Sequence, residues 1–343
     1  MSSLASAAKK PRLAFPTHPQ SSQTIGTHSG TFQADEATGV WLLRQLPEYF
    51  NAPVVRSRDL KVLEPLPIVI DVGGEYDHAK RRYDHHQRDF GTKFPGCDVS
   101  KLSAAGLVYL HYGKAVISEF YPHLGAGELE TVYQKMYSSF MLPVDAIDNG
   151  VEAADEVRYR DSTGLAARVG RLNKRWNEPE GGETDDERFA RASKLCGEAF
   201  LSALSHIVES DMEARGFVEE ALLKREEVDP AGEIIRFSAG GMPWKGHLYE
   251  LEDKYQIEGK IKFVLYQDQS GMWRVQAVTV KGTAFGNRVG LCKAWRGVRD
   301  ADLVSTSGIE GAKFCHAAGF IGGAATFEAA REMAKLSIKE GNP

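Results

Sequence analysis

The chain contains no apolar run long enough to cross a bilayer, so no helical membrane span is predicted. It has only four cysteines, Cys97, Cys196, Cys292 and Cys315, and no two of them stand in CxxC spacing. That scatter argues against a zinc ribbon and against a disulfide framework, and it suits a reducing compartment. Strong charge of either sign is also missing. With a net charge of −5 there is no global pull toward nucleic acid, so a polyanion would have to be held by a local basic groove. No internal repeat is visible. The first 34 residues lack Asp and Glu, are rich in Ser and Ala, and include Lys9-Lys10-Pro11-Arg12. Residues 1–23 therefore read as a disordered basic tail or targeting segment. Pro11 and Pro16 interrupt any presequence helix, which favours a nuclear over a mitochondrial address, with a cytoplasmic location left open.

What is present is ordinary for a globular chain: 42% hydrophobic and 26% charged residues over 343 positions. That length exceeds what one core usually serves, so two domains are expected. Short runs at 24–26, 54–56 and 67–72 read as strands. They alternate with helices opening at Asp35-Glu36 and at Ser103 and with another over 129–140. This alternation predicts a mainly parallel sheet with ligands beyond its strand C-termini. Residues 173–228 read as a polar loop and a charged helical spacer. Beyond them, 260–266 and 272–280 read as a hairpin around Asp268-Gln269-Ser270-Gly271, followed by a strand that breaks into glycines near 319–323 and a last helix. The fold class is thus α/β, with a mainly parallel-sheet domain over 24–172 and a smaller α+β domain over 229–343.

Asp and His recur at the ends of these elements: His28, Asp35, Asp71, Asp84-His85-His86, and the Asp145–Gly150 turn. Each alone has a plain explanation as a cap, a turn former or a solvated side chain. Spread over several tips of one parallel sheet, they have the composition of a site for two hard or borderline cations, which hydrolyse phosphate esters. Asp71, at a strand tip, is the natural bridging ligand.

The Asp84-His85-His86 triplet, preceded by an Asp-tipped strand and a His-containing turn, resembles the DHH phosphoesterase superfamily. More closely, the chain is similar to the eukaryotic melanocyte proliferating gene family of metal-dependent 3′–5′ RNA exonucleases of nucleus and mitochondria. The strings that carry the resemblance are IGTHSGTF at 25–32, IDVGGEYD at 70–77, RRYDHHQR at 81–88, VDAIDNG at 144–150, DPAGEI at 229–234, PWKGHLY at 243–249, AWRGVRD at 294–300, SGI at 307–309 and HAAGFIGG at 316–323. The resemblance implies two Mn²⁺ ions, with Mg²⁺ as an alternative, and an RNA or oligonucleotide substrate cut by a metal-activated water. It makes His28 a ligand of the first ion, and Asp35, His85 and Asp148 ligands of the second, with Asp145 as the alternate to Asp148. Asp71 bridges, His86 faces the scissile phosphate, and Asp84 orients a histidine ring.

One position departs from the pattern. Where the family's turn carries a histidine, this chain has Gln33, a neutral and weaker donor toward a transition metal. In the C-terminal half, Arg296, Arg299 and His316 are the expected anion contacts, with Gly322 and Gly323 forming a backbone nest ahead of a helix. Trp244 and Trp295 are candidate base-stacking residues or core residues. The alternatives are a hydrolase of a dinucleotide or pyrophosphate, and an RNA-binding regulatory protein whose first metal site is impaired at Gln33.

Overall fold

The runs Ile25–Thr27, Val54–Arg56 and Ile68–Ile70 are too short for helices and form parallel strands in the computed structural model. The structure describes residues 12–179 and 181–341. Of the basic tail motif, Lys9, Lys10 and Pro11 lie outside the described residues. The chain divides into two compact units, Met1–Glu209 and Ser210–Pro343.

The first unit contains β1 (Ile25–Thr27), α1 (Ala34–Leu43), β2 (Val54–Arg56), α2 (Leu60–Leu63), β3 (Ile68–Ile70), β4 (Tyr76–Asp77), β5 (Arg82–Tyr83), α3 (Ala104–Phe120), α4 (Ala126–Met136), α5 (Leu142–Asp148), α6 (Leu165–Gly170) and α7 (Asp185–His206). Its sheet runs β2-β1-β3-β5-β4, parallel except for the last pair. β1 and β3 are buried along their whole length, which is why they read as short unbroken runs rather than alternating ones. Because β1, β3 and β5 are adjacent and parallel, the residues that follow them emerge at one edge: His28, Asp71 and Asp84-His85-His86.

Predicted as part of a spacer, α7 instead packs on α1. Phe200 lies 5.5 Å from the Trp41 ring, and Phe189 lies 5.7 Å from Phe32. A Cβ at Gly197 would overlap the Trp41 indole, so glycine is what allows the two helices this close. The charged face that suggested a spacer is the solvent side of an amphipathic helix whose other side is core.

The second unit contains α8 (Met212–Leu223), α9 (Arg225–Val228), β6 (Ile234–Arg236), α10 (Lys245–Tyr255), β7 (Phe263–Gln267), β8 (Trp273–Ala277), α11 (Asp300–Ser307), β9 (Ala312–Cys315), β10 (Ile321–Ala324) and α12 (Phe327–Glu340). The sheet order is β6-β7-β8-β10-β9, with only β6–β7 parallel. Both faces are covered. Phe263 and Leu265 join Leu303 and Met333 in one core, while Val264 between them joins Leu222 and Leu248 in the other. The β7–β8 hairpin turns at Gly271, whose φ of 80° suits glycine.

Candidate metal centre

β1 hands the chain to His28. Its Nδ1 stands 3.1 Å from the Ser29 carbonyl oxygen and 3.2 Å from Arg58 Nη2. The other nitrogen, Nε2, lies 3.0 Å from Glu36 Oε1 and 3.3 Å from Asp71 Oδ2. β3 ends on Asp71, which adopts a positive φ of 57°, a left-handed conformation that aspartate tolerates better than most residues. Its N–H donates to the Tyr83 carbonyl oxygen at 3.0 Å, tying the tip of β3 to β5. Asp71 Oδ1 faces the other way, 3.4 Å from His85 Nε2. The two oxygens of one carboxylate therefore serve two histidines, as a bridging ligand must.

His85 Nε2 also lies 3.1 Å from Asp148 Oδ2 and 4.0 Å from Asp35 Oδ2. Asp148 ends α5, and Asp35 opens α1. Asp35 is fixed from behind by the start of α3: Ser103 Oγ, Ala104 N and Ala105 N donate to its carboxylate at 2.5, 3.1 and 2.6 Å. A carboxylate at a helix N-terminus is favoured there, so the fold holds this charge in place.

Three ligand groups result, with ligand atoms in each within 4.8 Å of one another: His28-Glu36-Asp71, Asp35-His85-Asp148 and Asp71-His85-His86. The donor set of imidazole and carboxylate fits a divalent cation. A direct sign of fit is that Asp71 Oδ1 and both ring nitrogens of His85 are buried without a hydrogen-bond partner, although carboxylates lie at ion-pair distance. Orphaned buried polar atoms cost about 1–3 kcal/mol each, and coordination would satisfy Asp71 Oδ1 and His85 Nε2.

The electrostatics agree. Burial works to lower the His28 imidazole, yet Asp71 and Glu36 outweigh it and raise it to about 10. His85 is likewise raised to about 10, against burial, by Asp148, Asp71 and Asp35. Burial drives Asp35 well above the carboxylate range, and the charges of Asp71 and Asp148 add to it. Asp71 is held low despite burial, by His28 and His85. Without a cation, protons on two imidazoles offset the packed carboxylates.

His86 is the exposed member, with its side chain 64% accessible. Asp84 controls it: Oδ1 accepts from the His86 N–H at 3.1 Å and stands 2.6 Å from Nδ1, while Oδ2 accepts from Gly74 N at 2.6 Å. Asp84 thus orients His86 and belongs to no ligand group. Asp145, the alternate, is likewise occupied. Ser103 N and Tyr137 Oη each donate to it at 3.0 Å, Ser103 Oγ stands 2.7 Å away, and burial lifts it to about 6.

Gln33 is exposed at the N-cap of α1, and its backbone N–H donates to the Glu36 carboxylate at 3.0 Å. The residue beside His28 is Glu36, which the sequence reading missed. The available signal was a second acid directly after Asp35, three residues past Gln33.

The residues expected to hold substrate lie in the second unit, and several are placed differently. Gly322 and Gly323 do not form a nest: they sit inside β10, paired with Val275 and Arg274 on one side and with Cys315 and Phe314 on the other. Their N–H groups belong to a ladder, and a Cβ on Gly323 would overlap the Phe314 ring. His316 is exposed in the β9–β10 turn, accepting Ala318 N at 3.1 Å through Nδ1. Arg299 is exposed with its guanidinium 5.7 Å from the Phe314 ring centroid. Arg296 is only partly exposed, and its Nε donates to the Leu291 carbonyl at 3.1 Å. Trp244 and Trp295 are both buried in the core, which removes them as stacking platforms.

Residues 24–338 match the model of the MYG1 exonuclease family, described as Uncharacterised protein family UPF0160. The chain is 46% identical to a mouse protein named MYG1 exonuclease, over 97% of this chain and 88% of that one. It is 46% identical to a human protein of the same name, over 92% and 86%. A Dictyostelium discoideum protein named MYG1 protein is 43% identical over 92% of this chain and 97% of its own length. The match spans both units, and the chain belongs to the MYG1 (UPF0160) family.

Proposed function

We propose that the chain is a metal-dependent phosphodiesterase of the DHH type that removes nucleotides from the 3′ end of RNA. The observation that carries the reading is Asp71, whose two oxygens face His28 and His85 from between two ligand groups. The names of the mammalian relatives support a nuclease, and the RNA substrate and 3′–5′ direction rest on the family resemblance.

His28, Glu36 and Asp71 would hold one cation, and Asp35, His85 and Asp148 the other, with Asp71 shared. Such ions supply Lewis acidity toward phosphoryl oxygens and make a bound water acidic enough to attack at neutral pH. The protein's part is positional. The α3 N-terminus locks Asp35, and Asp84 takes Nδ1 of His86, leaving Nε2 as the nitrogen free to meet a phosphoryl oxygen. The Ser29 carbonyl oxygen, 3.1 Å from Nδ1, orients the His28 ring and leaves Nε2 for the ion.

The test uses purified protein treated with EDTA and reloaded with Mn²⁺, and an oligoribonucleotide labelled at its 5′ end. Progressive shortening that requires Mn²⁺ and disappears in Asp71→Ala is expected. Intact RNA with full metal occupancy would overturn the activity, and shortening from the 5′ end would overturn the direction.

A further inference from the structure

Beside the candidate ligand cluster the first unit contains a cavity of about 630 Å³. Asp35 and Asp148 form part of its wall, so it opens onto the same carboxylates that face His85. The rest is largely apolar, with Phe32, Phe140, Pro143, Ile147, Leu165 and Ala166 among the lining residues. Pyrophosphate has no apolar part to fill such a space, whereas a nucleobase attached to a phosphate held by the cluster does.

Asn173 lines this cavity and also a second recess formed by Arg171, Arg175, Arg188 and Arg191 with Glu178. Two of the arginines are paired, Arg188 with Glu178 and Arg191 with Glu183, each at 2.6 Å. Arg171 donates to the Ser162 carbonyl at 2.7 Å. Arg175 is exposed and has no ion-pair partner among the described residues. Next to it Trp176 is 97% exposed, a large aromatic that folding leaves in water. Arginines around a recess plus an exposed aromatic are what single-strand binders present to backbone and base.

We infer that this surface holds the strand of a single-stranded oligonucleotide. The terminal base occupies the apolar cavity, a neighbouring phosphate meets the arginine recess, and Trp176 stacks on a further base. The inference rests on the phosphodiesterase reading for what the cluster holds, and it deepens that reading by favouring an oligonucleotide over pyrophosphate.

Binding is measured apart from cleavage, with the full chain in Mn²⁺ and a fluorescein-labelled hexaadenylate RNA made with non-hydrolysable, charged methylenephosphonate linkages, by anisotropy. Arg175→Glu and Trp176→Ala change exposed side chains, and each is expected to weaken binding about tenfold. Arg175→Glu should also reduce the slope of log Kd against log salt by about 0.7, one phosphate contact. Ala166→Phe fills the cavity, and a hexamer ending in an abasic nucleotide should bind the wild type as weakly as the intact hexamer binds this variant. Wild-type affinity in Arg175→Glu and Trp176→Ala, or equal binding of a duplex of the same length, overturns the inference. A wild type that shows these dependences but never cleaves with Mn²⁺ leaves the strand site standing and sinks the activity. Cleavage without them does the reverse.

Discussion

Glu36 accepts the Gln33 backbone N–H at 3.0 Å while its Oε1 stands 3.0 Å from His28 Nε2. The first contact is ordinary helix capping and would by itself explain an acid at this position. The second places a buried carboxylate against a ligand candidate, and burial raises its pKa, whereas the exposed capping acid Glu187 is lowered by its hydrogen bonds to Thr184. Glu36→Gln separates the two roles, because the amide oxygen still accepts the cap hydrogen bond but offers no charge. Tightly held Mn²⁺ in gel-filtered protein is expected to fall by one equivalent in this variant. Gln33→His, altering an exposed side chain, should change metal content less. Elemental analysis of both variants checks this, and an unchanged metal content in Glu36→Gln would remove it from the site. The sequence directed attention to Gln33 because local strings show which residue types are present. They do not show that the first turn of a helix carries the third residue, and not the cap itself, toward the preceding strand tip.

α5 carries two aspartates three residues apart with different tasks. Asp145 satisfies the start of α3 through Ser103, and Asp148 reaches His85. Asp145→Asn is expected to lower thermal stability by about 1–3 kcal/mol, the cost of disturbing a buried hydrogen-bonded acceptor, with metal stoichiometry intact. Asp148→Asn should do the opposite, losing metal with little loss of stability in EDTA. Paired melting and metal measurements decide it, and a metal loss in Asp145→Asn would reverse the assignment. At this scale the sequence was legible where burial dictates composition: Ile68–Ile70 reads as a buried strand, and its tip marks Asp71. The two-residue strands β4 and β5 were not, since Tyr76 and Tyr83 pair through register alone. Gly322-Gly323 read as a turn because glycine permits one. There the requirement is space beside Phe314, Leu291 and Met333, a tertiary fact. The helix of α7 was expected, but its packing was hidden for the same reason, since the contact with Trp41 is a tertiary fact.

At the scale of the molecule, all the ligand groups lie in Met1–Glu209, while Ser210–Pro343 has hydrophobic cores of its own. Metal should therefore stabilise the first unit directly, and the direction of its pH dependence can be worked out. His28 and His85 are raised from 6.5 to about 10 in the ion-free fold. Their pairing with carboxylates contributes stability that is full below about pH 6.5 and is lost as pH rises toward about 10. Asp35 and Glu36, also raised, act in the same direction from a lower starting point, because ionising them in the fold is unfavourable. Asp71 is depressed, so its contribution is present at neutral pH and lost only in acid. In EDTA the first unit should thus melt at lower temperature at pH 8.5 than at pH 6.5. A divalent cation must displace the imidazole protons to reach the nitrogens, so its affinity rises over the same interval. Saturation at a hundred times Kd adds about 2.7 kcal/mol to a folded state. The Mn²⁺-induced rise in Tm should therefore be larger at pH 8.5 than at pH 6.5 and should fall on one of two calorimetric transitions. Proton release on Mn²⁺ addition, measured at pH 7 in buffers of different ionisation enthalpy, should be positive. A shift that shrinks as pH rises, or no proton release, would mean that His28 and His85 do not take the metal.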